Sequence, residues 1–193
     1  MKRIVSIQDI SDIGKCSLTA ALPVISAMGV ECAVLPTAVL SAHSQFEGFT
    51  FRDLTDEMTA TAEHWKRLGP RFDAVYTGYL GSPRQVDVVR GFFDDFGKDA
   101  KIIVDPAMAD FGRLYSGFDA DFPREMARLC EGADIILPNI TEACLLLGAE
   151  YREEYDREYI RSLLRGLAQL GDGHQSHGHV LHNQAGVQHG RGH

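Results

Sequence analysis

The chain has 193 residues, 45% hydrophobic and 24% charged, the composition of one globular domain with enough apolar material for a core. A net charge of -8 with scattered Lys and Arg argues against a polyanion-binding surface, so nucleic acid is not an expected partner. No apolar run reaches the roughly 20 residues of a membrane helix, and "MKRIVSIQDI" reads as a strand rather than a signal peptide. Cytoplasm is the expected location, with no membrane partner. Cysteines 16, 32, 130 and 144 have neither zinc-ribbon spacing nor disulfide density and read as reduced thiols.

In chain order, short β-rich runs alternate with segments of helical period. "RIVSI" precedes a helix over 16–28, "CAVLPT" one over 55–68, and "DAVYTGY" one over 83–96. "KIIVDP" then leads to 121–131, and "DIILPN" to 140–148. This alternation predicts an α/β fold, a mostly parallel sheet with helices on both faces. Ser82 before Pro83 reads as an N-cap with proline at the first helical position. An amphipathic helix over about 153–169 turns Tyr159, Leu163, Leu164 and Leu167 inward. A further strand is due after it, and none comes cleanly.

In an open parallel sheet, ligands bind beyond the carboxyl ends of the strands, so the polar residues there are the candidates. After the first strand come Asp9, Ser11 and Asp12 before Gly14, which on their own read best as helix capping and a turn glycine. After the second, the long loop "TAVLSAHSQFEGFTFRD" holds His43, Ser44 and Gln45 beside Phe46 and Phe49, a mixture suited to a planar aromatic ligand or to simple packing. In "YTGYLGS", Gly78 and Gly81 allow close backbone approach, and Tyr79 offers a ring, a hydroxyl or an ordinary core side chain. The fourth strand runs directly into Asp105, with Asp110 five residues on. That pair suits a hydrated magnesium or the charge balance around a phosphate, against the plainer alternative of a capping aspartate. Asn139 and Glu142 form a textual capping box at the next helix, and a functional role beside the structural one is about even.

Taken together, "IQDISDIGKCSLTAALPVISAMGV", "LPTAVLSAHSQFEGF", "YTGYLGS", "VDPAMADFGRLY" and "ADIILPNITEACLLLG" resemble, in order and spacing, the pyridoxal/pyridoxamine kinases of the ribokinase-like superfamily. The resemblance covers residues 1 to about 170, the amino-terminal part of such a kinase. It implies a ribokinase-like, Rossmann-like sheet and ATP-dependent phosphorylation of the 5'-hydroxymethyl group of pyridoxal, pyridoxamine or pyridoxine, that is, vitamin B6 salvage. ATP is then the phosphoryl donor, Mg2+ the cofactor and K+ a second cation, with a homodimer when full length.

By this resemblance Asp9, His43, Ser44, Gln45 and Tyr79 bind substrate. Asp9 stands where the family commonly has serine, which bears on vitamer preference. Asp105, Tyr115, Asn139 and Glu142 bind nucleotide, and Asp105, Asp110 and Glu142 serve the metal. "DPAMAD" departs from the family's "DPVMGD", and Leu137 replaces a small or hydroxyl residue near the cation. The family's catalytic base, an aspartate in a G-x-G-D loop, has no counterpart in this chain, so no catalytic residue is assigned and this chain is expected to be weakly active or inactive. The alternatives are a hydroxymethylpyrimidine (phosphate) kinase of thiamin synthesis and a non-catalytic ligand-binding remnant.

The division expected is an incomplete kinase domain over 1–170 and a Gly/His-rich, disordered tail over 171–193. That tail holds six of the eight histidines at spacings that follow no zinc pattern. A one-base shift from Gly173 permits "VISLTGTSF", similar to the family's next strand, so the tail reads as an out-of-frame translation. The carboxyl-terminal strands are accordingly expected to be missing.

Overall fold

The computed structural model describes residues 1–170 and 179–180. Six helices and a seven-stranded sheet account for most of them. Strands β1 (Arg3–Ser11), β2 (Glu31–Leu40), β4 (Ala74–Thr77), β5 (Lys101–Val104), β8 (Ile135–Ile136) and β9 (His179–Val180) are parallel, in the order β2-β1-β4-β5-β8-β9. Strand β3 (Phe51–Asp53) adds an antiparallel edge to β2, pairing Ala38 with Asp53 and Leu40 with Phe51. A hairpin of β6 (Ala109–Asp110) and β7 (Arg113–Leu114) stands apart.

The helices are α1 (Ser17–Ala27), α2 (Thr55–Leu68), α3 (Pro83–Phe96), α4 (Phe122–Cys130), α5 (Ile140–Leu147) and α6 (Arg157–Leu170). Local signals explain their ends. The Ser82 hydroxyl accepts from the Gln85 amide at 3.3 Å with Pro83 at the first helical position, as its sequence predicts. Helix α6 starts at Arg157, four residues later than its periodicity suggests. Asp156 accounts for the start, because its Oδ1 accepts from the Tyr159 amide at 2.8 Å and caps the first turn.

Both faces of the sheet carry helices, unequally. Val5, Ile7, Leu35, Val75 and Val104 point to one face and pack with Met58 of α2, Phe92 of α3, Met126 of α4, Cys144 of α5 and Leu167 of α6 into one cluster. Trp65, Phe72, Phe92 and Phe96 pack ring against ring within it, Phe92 and Phe96 at 4.5 Å. The other face holds α1, packed on β1 and β2. Right-handed crossovers explain the split. The β1–α1–β2 connection moves across the sheet one way, whereas those through α2 to α6 move the other way and deliver their helices to the opposite face.

At the far edge, after α6, His179–Val180 pair in parallel with Ile135 and Ile136, meeting backbone donors and acceptors that β8 otherwise leaves open. The rest of the 171–193 tail, including its reading as out of frame and disordered, lies outside the described residues.

Candidate active site

Two polar centres stand at the carboxyl ends of the strands. The first is built by β8 and α5. Asn139 caps α5, its Oδ1 accepting from the Glu142 amide at 2.9 Å while Glu142 Oε2 accepts from the Asn139 amide at 2.8 Å. The textual capping box is therefore real. Glu142 does more, since its Oε1 accepts from the Met108 amide at 3.2 Å and Asn139 Nδ2 donates to the Ala109 carbonyl at 2.8 Å. These bonds fasten the segment after β5 to the start of α5, placing Asp105 and Glu142 in one electrostatic neighbourhood.

Burial pushes the Asp105 carboxyl up to about 7. It pushes Glu142, 3% exposed, up to about 8, with the Asp105 charge adding to the effect against its backbone hydrogen bonds. Among the described residues neither carboxylate has a basic partner. Two buried acids that resist shared ionisation are a site a cation would relieve.

Asp110 and Tyr115 flank this pair. Asp110 opens the β6–β7 hairpin, whose two turn residues, Phe111 and Gly112, have φ of 48° and 74°. That is the mirror-image turn a two-residue hairpin favours, with phenylalanine where glycine or asparagine is usual. Tyr115 has its hydroxyl held well above the usual tyrosine range, first by burial and then by the charges of Glu142, Asp110 and Asp105. The structure thus brings Asp105, Asp110, Tyr115, Asn139 and Glu142 together as their motifs imply.

Among the described residues no three His, Cys, Asp or Glu side chains are close enough to form a ready-made metal cage. Asp105 and Glu142 nevertheless fit magnesium, which commonly takes one or two protein carboxylates and completes its shell with water and phosphate oxygens.

The second centre gathers the ends of β1 and β4 and the loop after β2. Asp9, 4% exposed, accepts from the Ser11 hydroxyl at 2.8 Å. Its charge and that of Asp53, after burial, hold the Tyr79 hydroxyl up to about 12. The Tyr79 ring lies 5.6 Å from Phe118. His43 packs against Gly14, where an added Cβ would fall 2.1 Å from His43 Cδ2, and its ring lies 4.7 Å from Phe46. The Gln45 amide donates to His43 Nδ1 at 3.2 Å, which assigns the ring proton to Nε2 and leaves that nitrogen a donor. Ser44 and Gln45 themselves are exposed.

Sequence reasoning misses two residues here. Gln85 is fully buried in α3. Its Oε1 accepts from the Gly81 amide at 2.7 Å, and its Nε2 donates to the Thr37 carbonyl at 2.8 Å, Asp53 Oδ2 at 3.0 Å and Thr55 Oγ1 at 3.1 Å. One amide thereby ties together the end of β2, the strand β3, the start of α2 and the "GYLGS" loop. Gln8 lies against Gly78, where a Cβ would come within 2.8 Å of its Cγ, and its Nε2 donates to the Ser6 hydroxyl at 2.9 Å. A glycine two residues after the strand's Tyr76 is the one local hint of that contact.

A cavity of about 550 Å³ on the α1 side reaches one residue of each centre, Tyr79 beside Gly78 and Gln8, and Asp105 beside Ala107 and Leu137. An open, mostly parallel sheet with helices on both faces and a crevice at the carboxyl ends of its strands is the architecture of the doubly wound α/β ligand-binding folds, to which the ribokinase-like kinases belong. More narrowly, the phosphomethylpyrimidine kinase family profile matches residues 16–174, and the chain belongs to this family.

The chain is 46% identical to a Bacteroides thetaiotaomicron protein described as a phosphomethylpyrimidine kinase and crystallised with pyridoxal, with a TM-score of 0.85 over 88% of this chain and 60% of that one. It is 35% identical to the pyridoxal kinase of Lactobacillus plantarum, with a TM-score of 0.81 over 88% of this chain and 60% of the other. It is 30% identical over 180 residues to pyridoxal kinase PdxY of Burkholderia lata, covering 88% of this chain and 62% of the relative. The chain therefore spans about three fifths of these relatives' length. Among the described residues no helix is long and apolar enough to cross a membrane.

Proposed function

We propose that this chain is the amino-terminal part of a cytoplasmic vitamin B6 kinase, which transfers the γ-phosphoryl group of ATP to the 5'-hydroxyl of pyridoxal, pyridoxamine or pyridoxine. One observation carries the reading: Tyr79 and Asp105 line a single cavity, which supports a ring held beside Tyr79 with a substituent reaching toward Asp105. Likeness at 46% identity to a protein crystallised with pyridoxal supports the same substrate class.

In this reading the ring stacks near Tyr79. Asp9 and the His43 Nε2–H offer an acceptor and a donor for its polar edge, with Ser44 and Gln45 covering it. Asp105 and Glu142, with Asp110, would hold magnesium, which would supply charge neutralisation for the phosphates. Tyr115 and Asn139 border the nucleotide. The hydroxyl oxygen forms the new bond to phosphorus as the bridging oxygen of the γ-phosphate leaves with ADP, and the hydroxyl proton must pass to a base.

None of the residues assigned here serves as that base. Loss of a general base typically costs roughly 100-fold or more in rate. The purified chain is therefore expected to bind pyridoxal by calorimetry while turning it over at least about 100-fold more slowly than a full-length relative. Absence of binding would overturn the substrate reading, and turnover at the relative's rate would overturn the assignment of the missing base.

A second reading, phosphorylation of a hydroxymethylpyrimidine, is favoured by the family profile that the chain matches. Calorimetry with the pyrimidine and the three B6 vitamers side by side separates the two. Vitamer binding without any turnover on a lengthened chain would favour a non-catalytic remnant.

A further inference from the structure

The hydrogen bonds of Gln85 form part of a closed ring around one residue of the pocket. Gln85 Oε1 accepts from the Gly81 amide at 2.7 Å, and its Nε2 donates to the Thr37 carbonyl at 2.8 Å. Thr37 in turn donates its hydroxyl to the Tyr79 carbonyl at 2.9 Å. Tyr79 is therefore tethered at its own carbonyl and, two residues on, at Gly81, and both tethers run to one side-chain amide. On the near side the Gly78 amide donates to the Ile7 carbonyl at 3.0 Å, which fixes the loop to β1. The Tyr79 ring is half-buried, and its hydroxyl has no hydrogen bond among the described residues, so backbone and packing on Phe118 decide where the ring stands.

The amide works in one orientation only. Reversed, its NH2 group would meet the Gly81 N–H, and its oxygen would meet the Thr37 carbonyl and Asp53 Oδ2, which now accepts from Nε2 at 3.0 Å. Gln85 is fully buried, so water does not readily replace a lost partner. A Cβ at Gly81 would fall 3.7 Å from Tyr79 Cε1 and 3.4 Å from Phe51 Cζ, so the turn that Gln85 fixes lies alongside the ring. Asp53, bonded to the same amide, is also one of the charges that act on the Tyr79 hydroxyl.

We infer that Gln85, which does not itself line the cavity, is the positioning residue that sets the place of the Tyr79 ring, through Thr37 on one side and Gly81 on the other. The consequence for substrate affinity rests on the kinase reading above, whereas the placement of the ring does not.

The test uses the full 193-residue chain labelled with fluorotyrosine, in which the Tyr79 resonance is the one that Tyr79→Phe removes. Gln85→Glu sets a carboxylate against the Thr37 carbonyl and Asp53. At about pH 8 the Tyr79 resonance should move, and pyridoxal affinity should fall at least about tenfold against the parent. At about pH 5 the new carboxyl, its affinity for a proton raised by burial and by Asp53, regains a donor, and the ratio of variant to parent should close to within about threefold. Among the described residues Asp53 is the titratable group bonded at this position, while Arg84 of α3 and Asp56 of α2 pair with each other at the surface. Thr37→Val removes the hydroxyl tether alone and should move the same resonance at both pH values, which keeps the test decisive if Gln85→Glu does not fold. Phe92→Ala, on the same helix, should lower stability and leave Tyr79 in place.

An unmoved Tyr79 resonance in the folded variants overturns the proposal. So does a displacement that acid does not reverse in Gln85→Glu, or that Phe92→Ala reproduces, because either would be general loosening. Parent-like pyridoxal affinity beside a displaced ring overturns it as well. A resonance that moves and returns in a chain that binds no pyridoxal upholds the placement while removing the kinase reading.

Discussion

Across the same strands the two faces of the sheet meet very different surroundings. Toward α2 to α6, Met58, Phe92 and Met126 are essentially inaccessible. Toward α1, Tyr76 and Ile103 stay half-buried and line a cavity of about 550 Å³. The strand sequences do not foretell this difference, because "RIVSI" and "KIIV" are apolar on both sides, as strands between two helical layers generally are. What separates the faces is the order in which strands are joined. A parallel sheet closes one face progressively as the chain advances and leaves the other to whatever comes last.

Truncating side chains on each face breaks or sharpens this contrast most directly. Phe92→Ala on the closed face should cost about 3–5 kcal/mol, a large part of the stability of an ordinary domain. Ile103→Ala on the open face should cost less than half as much, because its surroundings are already wet and yielding. Urea unfolding of the two variants checks the pair, and comparable losses would mean that the α1 face is packed in solution.

Next in size is Glu142→Ala, which strands the amides of Met108 and Asn139 and should cost roughly 2–4 kcal/mol. Glu142→Gln keeps one oxygen, which can accept from one of the two amides while its NH2 faces the other, and should recover up to about half of that. A Gln variant as unstable as the Ala one would show that charge rather than hydrogen bonding holds the segment after β5.

The acidic pair gives a pH dependence of defined sign. Asp105 and Glu142 rise from ordinary values of 3.8 and 4.5 to about 7 and about 8, so the folded chain keeps protons that the unfolded chain has released. Their contribution to stability is therefore greatest near pH 4, declines as pH rises through the window to about 8, and is level above it. Magnesium should restore stability increasingly toward pH 8 and release protons on binding, measurable by calorimetry in buffers of different ionisation enthalpy. Glu142→Gln should flatten the upper part of the profile.

The smallest effect expected is at the loop centre. Gly14→Ala places a methyl group at φ 133° and within 2.1 Å of His43 Cδ2, so it should displace the ring and cost about 1–3 kcal/mol. The His43 imidazole resonances should move while those of α6 do not. An unmoved His43 would show that the ring already swings away from Gly14.

What the sequence discloses and what it withholds follow the same division between local and distant. The βα alternation, the cap at Ser82 and the capping box at Asn139 and Glu142 are legible because each is decided within a few residues. Strand β3 sits unannounced in a long loop, since its three residues acquire meaning by pairing with β2. The β6–β7 turn is hidden by Phe111, an unusual residue at positive φ. Gln85 cannot be found from its own segment at all, as its four partners come from positions 37, 53, 55 and 81. The carboxylates of the candidate site were visible as motif members, but their mutual proximity and raised protonation required the fold.

Trp65, the one tryptophan of the sequence, lies 5.7 Å from Phe72 and 6.1 Å from Phe92, inside the closed face. Indole emission from this protein is thus a reporter of one layer alone. A ring held near Tyr79 can therefore bind to saturation with that signal unchanged. An unresponsive tryptophan trace would accordingly be a statement about where the dye sits, not about whether anything has bound.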